Sequence, residues 1–165
     1  MNLSDQPDGQ CELEHNQRLL REQPIFAELA PELLRVVAYF CEREVFSPGQ
    51  PILAEGEPAD SAVIVVRGEA RIERGGRRMA AVPAGRCVGG MALLGRYRWV
   101  YDLRAETEVE CLFLPRRKLL PQLLAQPVAL ASVARELVAG VALWDRQRLE
   151  RAVLLRPGYA VEYAF

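Results

Sequence analysis

Residues 82–105 read VPAGRCVGGMALLGRYRWVYDLRA, and this is where the chain concentrates groups that could hold a ligand. Gly85 and Gly89 punctuate a strand end, and Gly90-Met91-Ala92-Leu93-Leu94 is suited to start a short helix. Backbone amides at such a start, here those around Gly89, Gly90, Met91 and Ala92, attract an anion without any charged side chain. An extended segment rich in aromatic and β-branched residues follows, carrying Arg96, Arg98, Trp99 and Val100. The chemistry on offer is capture of a phosphate-like group by N–H donors, with a guanidinium close by.

Other chemistries find no support. There is no nucleophile elbow, metal-binding helix motif or Walker loop, and the single histidine, His15, sits in a polar N-terminal segment remote from the glycine-rich loop. Catalysis is therefore not expected. Cys11 and His15 are four apart and would share a helix face, but no other cysteine precedes Cys41, so an iron-sulfur or metal site is not expected. The four cysteines, Cys11, Cys41, Cys87 and Cys111, are scattered without the close pairs of a zinc ribbon, and most of them read as small buried thiols.

The elements needed to position the loop read as helix, barrel, helix. A polar helix is predicted over about 11–22 and a shorter one over 31–40, where Leu33, Leu34, Val37 and Phe40 follow helical spacing. Strands are predicted at 62–66, at 69–73 with Ala70 and Ile72 on one face, at 79–82 beyond the Gly75-Gly76 reversal, and at 109–114. Pro115 ends the strands, a short helix covers 118–124 despite Pro121, and Pro127 precedes a long helix over about 128–155. The predicted fold class is mainly β with flanking helices: a small β-barrel of jelly-roll type, a short helix, then a long C-terminal helix.

Residues 82–105 resemble the phosphate-binding cassette of cyclic-nucleotide-binding domains, Phe-Gly-Glu-Leu-Ala-Leu-Leu, a spacer, then Pro-Arg-Ala-Ala-Thr-Val-x-Ala. Ile25-Phe26-Ala27-Glu28-Leu29 with Pro31-Glu32-Leu33-Leu34 is similar to the family's entry helix, Phe46-Ser47-Pro48-Gly49-Gln50-Pro51-Ile52-Leu53 to its first strands, and Glu55-Gly56-Glu57-Pro58-Ala59-Asp60-Ser61 to its next turn. The resemblance implies a regulatory sensor module related to the catabolite-activator type. A gapless alignment places the family's ribose-binding Glu on Gly90 and its phosphate-binding Arg on Trp99. A neutral indole cannot replace a guanidinium on a phosphate, so the resemblance implies cyclic-nucleotide binding that is lost or altered, with no cofactor favoured. A one-residue shift in the spacer would bring Arg98 to the Arg position and leave a working cyclic-nucleotide sensor. A third reading is a dimeric interaction subunit without a ligand.

Composition bounds the partners. With 165 residues and half of them hydrophobic, one domain with its own core is expected, divided as a polar segment 1–18, the domain proper 19–155 and a tail 156–165. A net charge of -1 gives no general attraction to nucleic acid. The clusters Arg77-Arg78 and Arg116-Arg117-Lys118 read as a solvated turn and a solvated helix end. Residues 156–165 are too few for the helix-turn-helix that follows the dimer helix in activator-type regulators, so direct DNA binding is not expected, and the alternatives are action through a separate protein partner, a stand-alone sensor, or an output domain outside this sequence. The polar, acidic N-terminus lacks a secretory pattern, and the apolar run 137–144 is short for a bilayer, so the expected location is cytoplasmic without a membrane. On the last helix Leu130, Leu137 and Trp144 repeat at seven, with Val141 between the last two, a seam expected to form a homodimer.

Overall fold

The computed structural model describes residues 6–155, with side chains described over 10–143 and 145–147. Helix α1 spans Gln6–Arg21 and α2 Pro31–Phe40, joined through a single 3-10 turn at Pro24–Phe26. Eight strands follow: β1 Glu42–Phe46, β2 Pro51–Leu53, β3 Ser61–Arg67, β4 Glu69–Arg74, β5 Arg77–Pro83, β6 Cys87–Val88, β7 Asp102–Ala105 and β8 Val109–Pro115. A second 3-10 turn, Gly90–Leu93, lies between β6 and β7, and α3 Arg116–Leu124 and α4 Pro127–Leu155 close the order. The tail 156–165 and residues 1–5 lie outside the described residues. Helix α1 runs through residue 18 without a break and buries Asn16 and Leu20.

The strands form two four-stranded antiparallel sheets, β1-β8-β3-β6 and β2-β7-β4-β5. This is the expected jelly roll, with one difference: the sheets face each other and do not close into a barrel, since β1, β6, β2 and β5 remain edges. Strand β3 shows why the layers stack as they do. Its run Ala62-Val63-Ile64-Val65 is buried on both faces, as a central strand covered on both sides must be. Val63 and Val65 point to the second sheet, joining Ala70, Val82, Leu103 and Ala105 in an inter-sheet core. Ala62 and Ile64 point the other way, joining Leu112 and Leu114 under the helices, where Phe26, Leu34, Val37, Leu119, Leu123 and Val133 complete a second core. The outer face of the second sheet is a charge network instead. There Arg71 pairs with Glu73 and Glu106, Arg104 with Glu73, and Arg78 with Glu69 and Glu106.

Among the described side chains, helix α4 packs on this body through its first turns. Val133 and Ser132 are buried, the Ser132 hydroxyl donates to Glu28 at 2.7 Å, and Arg135 pairs with the same carboxylate. These two contacts, the Ser132 hydrogen bond first, hold the Glu28 carboxyl below its ordinary range. Leu130 and Leu137 of the predicted seam turn inward against the helical core, whereas Val138, Val141 and Leu143 are exposed. The Trp144 side chain lies outside the described ones. The apolar stretch is also longer than the run 137–144. The segment 127–147 is long and apolar enough to cross a membrane by length and composition, although its first turns are committed to the domain's own core.

Between β3 and β4, Gly68 has φ +84°, and a Cβ added there would fall 2.1 Å from the Glu108 carbonyl oxygen. No relaxation of a side chain relieves a backbone clash. Gly68→Ala is expected to lower unfolding stability by about 2 kcal/mol or more, measured by urea denaturation; a loss below about 0.5 kcal/mol would show that the β3–β4 corner is not as tight as described.

Candidate functional site

The glycine-rich loop forms a single 3-10 turn that belongs to both cores at once. Ala92 faces the inter-sheet core and its neighbour Leu93 faces the helical one, each with no exposed surface. The Ala92 amide donates to the Gly89 carbonyl at 2.8 Å and is thus spent inside the turn. Gly89 sets the entry with φ +73°, a left-handed conformation that glycine adopts without strain. Gly90 serves close packing. A Cβ built on it would lie 2.9 Å from Leu137 Cδ2 and 3.4 Å from Ile25 Cδ1, so its side-chain direction points into the helical layer. Met91 is half exposed.

The spacer 94–101 is irregular, but its backbone is zipped to the turn before β3. Gly56 N–H donates to Trp99 O at 2.8 Å, Trp99 N–H to Glu57 O at 2.9 Å, and Ala59 N–H to Tyr97 O at 2.9 Å. This pairing fixes a register, and register decides which side chains enter the interior. Trp99 goes in and is 4% exposed. Arg98 and Val100 go out, with the Arg98 guanidinium donating to the Gly56 carbonyl at 2.7 Å. The two cassette residues that the alternative alignments select therefore stand on opposite faces of one extended segment.

Trp99 is the centre of an aromatic group that the sequence did not single out. Its ring lies 5.5 Å from that of Tyr97 in an edge-to-face arrangement and 5.8 Å from that of Tyr101. Burial pushes the phenols of both Tyr97 and Tyr101 upward, so they stay protonated at neutral pH. The indole also rests directly on Gly89, where an added Cβ would meet Trp99 Cη2 at 2.2 Å. Ring and glycine are complementary: the missing side chain at 89 leaves the space that the ring occupies.

Arg116 corrects the expectation of a solvated helix end. Its side chain is 13% exposed, and the guanidinium donates to the carbonyls of Ala59 at 2.9 Å, Ala92 at 3.3 Å and Gly95, while pairing with Asp60. One cation thus joins the turn before β3, the end of the cassette turn and the start of α3. Its neighbour Arg117 remains exposed, and Lys118 pairs with Glu42. Of the candidate thiols, Cys87 lies beside the loop and burial pushes it up to about 12, which keeps it a neutral packing group. Cys41 and Cys111 are raised to about 12 as well, also chiefly by burial. Cys11 and His15 lie exposed one turn apart on α1, and among the described residues no three histidine, cysteine or acidic side chains converge as metal ligands.

A model of the family described as "Cyclic nucleotide-binding domain" matches residues 43–126, from the first sheet to the end of the short helix. Among curated proteins the chain is 34% identical over 97 residues to Glutaminase 2 of Bradyrhizobium diazoefficiens, covering 58% of this chain and 15% of that protein. It is 30% identical over 104 residues to a cGMP-dependent protein kinase of Toxoplasma gondii, covering 63% of this chain and 10% of the kinase. The chain therefore matches only a small part of the length of these relatives. Among solved structures it is similar to a cyclic nucleotide-binding-like protein from Brucella abortus, with TM-score 0.60, 28% identity and coverage of 66% of this chain and 97% of that one. It is also similar to the catabolite activator protein of Thermus thermophilus, with TM-score 0.67, 28% identity and coverage of 81% and 63%.

The fit of Trp99 on Gly89 makes a quantitative prediction. Gly89→Ala in the unmodified protein should cost about 3 kcal/mol, because the ring must be displaced, whereas in a Trp99→Ala background it should cost only the ~1–2 kcal/mol of a left-handed alanine. Denaturant unfolding of the four proteins measures the coupling, and additivity within ~0.5 kcal/mol would remove the contact from the account.

Proposed function

The chain belongs to the cyclic nucleotide-binding domain family, and we propose that it is a non-catalytic regulatory module whose ligand site is filled by its own Trp99, with cyclic-nucleotide binding lost or altered. The burial of Trp99 against Gly89, at the position where the family carries its phosphate-binding arginine, is the observation that carries this reading. A phosphate needs a charge-assisted partner in a desolvated site, and an indole offers one N–H and no charge. The second ligand group is missing too. Gly90 bears no carboxylate, and its side-chain direction leads to Leu137 and Ile25, so a glutamate restored there would enter an apolar contact. Loss of both groups weakens binding by roughly a hundredfold to ten-thousandfold. The reading in which Arg98 grips the phosphate requires a one-residue slip that would also expel Trp99, against the three backbone hydrogen bonds that hold residues 97–99.

The regulatory reading is supported by the way the cassette turn meets both cores and α4. Ala92 touches the layer holding Trp99, and Leu93 and Gly90 touch the layer holding Ile25 and Leu137, so the turn bridges the inter-sheet core and the long helix. Beyond Leu137 that helix presents Val138, Val141 and Leu143 to solvent, which supports homodimerisation through its distal part. The exposed distal part of the helix also suits contact with a protein partner.

Titration calorimetry of the unmodified protein with cyclic AMP and cyclic GMP is expected to show no binding tighter than about 1 mM, given the loss of two charge-assisted partners. Micromolar binding abolished by Arg98→Ala would overturn the self-filled reading in favour of a shifted spacer. For the assembly, light scattering should report a dimer that Val141→Asp converts to a monomer, since a carboxylate buried in an apolar interface is costly. A monomeric unmodified protein well above micromolar concentration would defeat the dimer.

A further inference from the structure

Outside the inter-sheet core, the turn at 58–61, the segment 94–97 and α3 bound a groove of about 760 Å³. This is within the ~300–1,000 Å³ typical of small-molecule sites. Leu94, Leu120 and Leu124 give it an apolar wall, and Leu124 is 58% exposed, unusual for a leucine on a helix that otherwise packs well. Three guanidiniums line the same groove. Arg116 is spent on carbonyls and on Asp60, the sole acidic group in the lining. Arg96 and Arg117 are exposed and make no ion pair or hydrogen bond among the described residues. On the second sheet, by contrast, Arg71, Arg78 and Arg104 are each matched to glutamates. The groove thus combines an uncovered apolar wall with two uncompensated positive charges.

We propose that this groove is a ligand site for an amphipathic organic anion, a carboxylate or phosphate head held by Arg96 and Arg117 with an alkyl or aryl body against Leu94, Leu120 and Leu124. The charges lie within the walls of a ligand-sized concavity, which favours a small molecule over an acidic peptide. The site also has a route to the family pocket. Tyr97 lines the groove and its ring meets Trp99 edge to face at 5.5 Å, while Arg116 bonds the end of the cassette turn from the other side. Occupancy of the groove is therefore reported by the indole. The inference does not depend on whether cyclic nucleotides bind.

The test uses the full chain with Trp144→Phe, so that Trp99 is the sole remaining tryptophan of the two. Decanoate and decyl phosphate, below their micellar concentrations, are titrated against Trp99 emission, with decanol as the neutral control; calorimetry on the unmodified protein supplies the same dissociation constant without a mutation. The proposal predicts saturable binding of at least one anion, weakened about tenfold or more by Arg96→Ala and by Arg117→Ala, as loss of a charge-assisted contact requires. Both arginines are exposed, so neither variant threatens the fold. Decanol binding as tightly as the anions, dissociation constants unmoved in both arginine variants, or no binding by either method would each overturn it. So would capture of a polyglutamate peptide with no binding of either anion, which would assign the groove to a protein partner. Added cyclic AMP, whatever its own heat, should leave the result unchanged.

Discussion

The guanidinium of Arg116 ties the turn before β3, the cassette turn and the start of α3 into one unit. Three carbonyls, those of Ala59, Ala92 and Gly95, converge on it from the turn before β3 and from the two ends of the cassette's exit. Carbonyls at the end of a short turn have no partner within the turn, and left dry they would be costly. A planar group with five donors can serve several of them at once, and Asp60 pairs with it at the exposed edge of the site. Lysine, with a compact ammonium, could not spread over the same set. The spacer 94–101 has no regular structure of its own, so this contact and the zipper to residues 56–59 are what give Trp99 a fixed place.

From that fixed place follows the division of the molecule into two dry regions that share one short turn. The inter-sheet core ends on Ala92 and the helical core begins on Leu93. Adjacent residues of a tight turn point in different directions, so the turn is a joint between layers as well as a loop. Packed interiors transmit displacement because they contain little free volume. Trp99 rests on Gly89, and at the next residue, Gly90, Leu137 Cδ2 stands against the backbone with no side chain between them.

Much of this was readable in the residues. The double-sided burial of β3 is written in its unbroken apolar run, and the one-sided burial of β4 in its alternation. Proline marked the start of α2 and of α4. The burial of Trp99 was legible only as an indole at the position where the resemblance expects a guanidinium; that it fills the interior depends on the register with residues 56–59, about forty positions away. Arg116 was hidden among three consecutive cations. Successive residues on a helix differ by about 100° in direction, so a run of like charges does not reveal which member turns inward. The heptad of α4 is ambiguous for a related reason: Leu130 and Leu137 pack against the domain's own core while Val141 stays exposed, and a periodicity states that a face is covered without stating by what.

The seating of the indole on Gly89 has a thermodynamic side. A diffusible ligand stabilises the state it binds by an amount that grows with its concentration, so a domain that depends on one reads the composition of its surroundings. Trp99 is joined to the chain it stabilises. Its local concentration is set by covalent connection, does not vary with metabolism, and falls only when residues 97–99 peel away from 56–59. On the proposed self-filled reading, where an ordinary pocket is governed by mass action, the occupancy of this one would be governed by local unfolding of that strip of backbone.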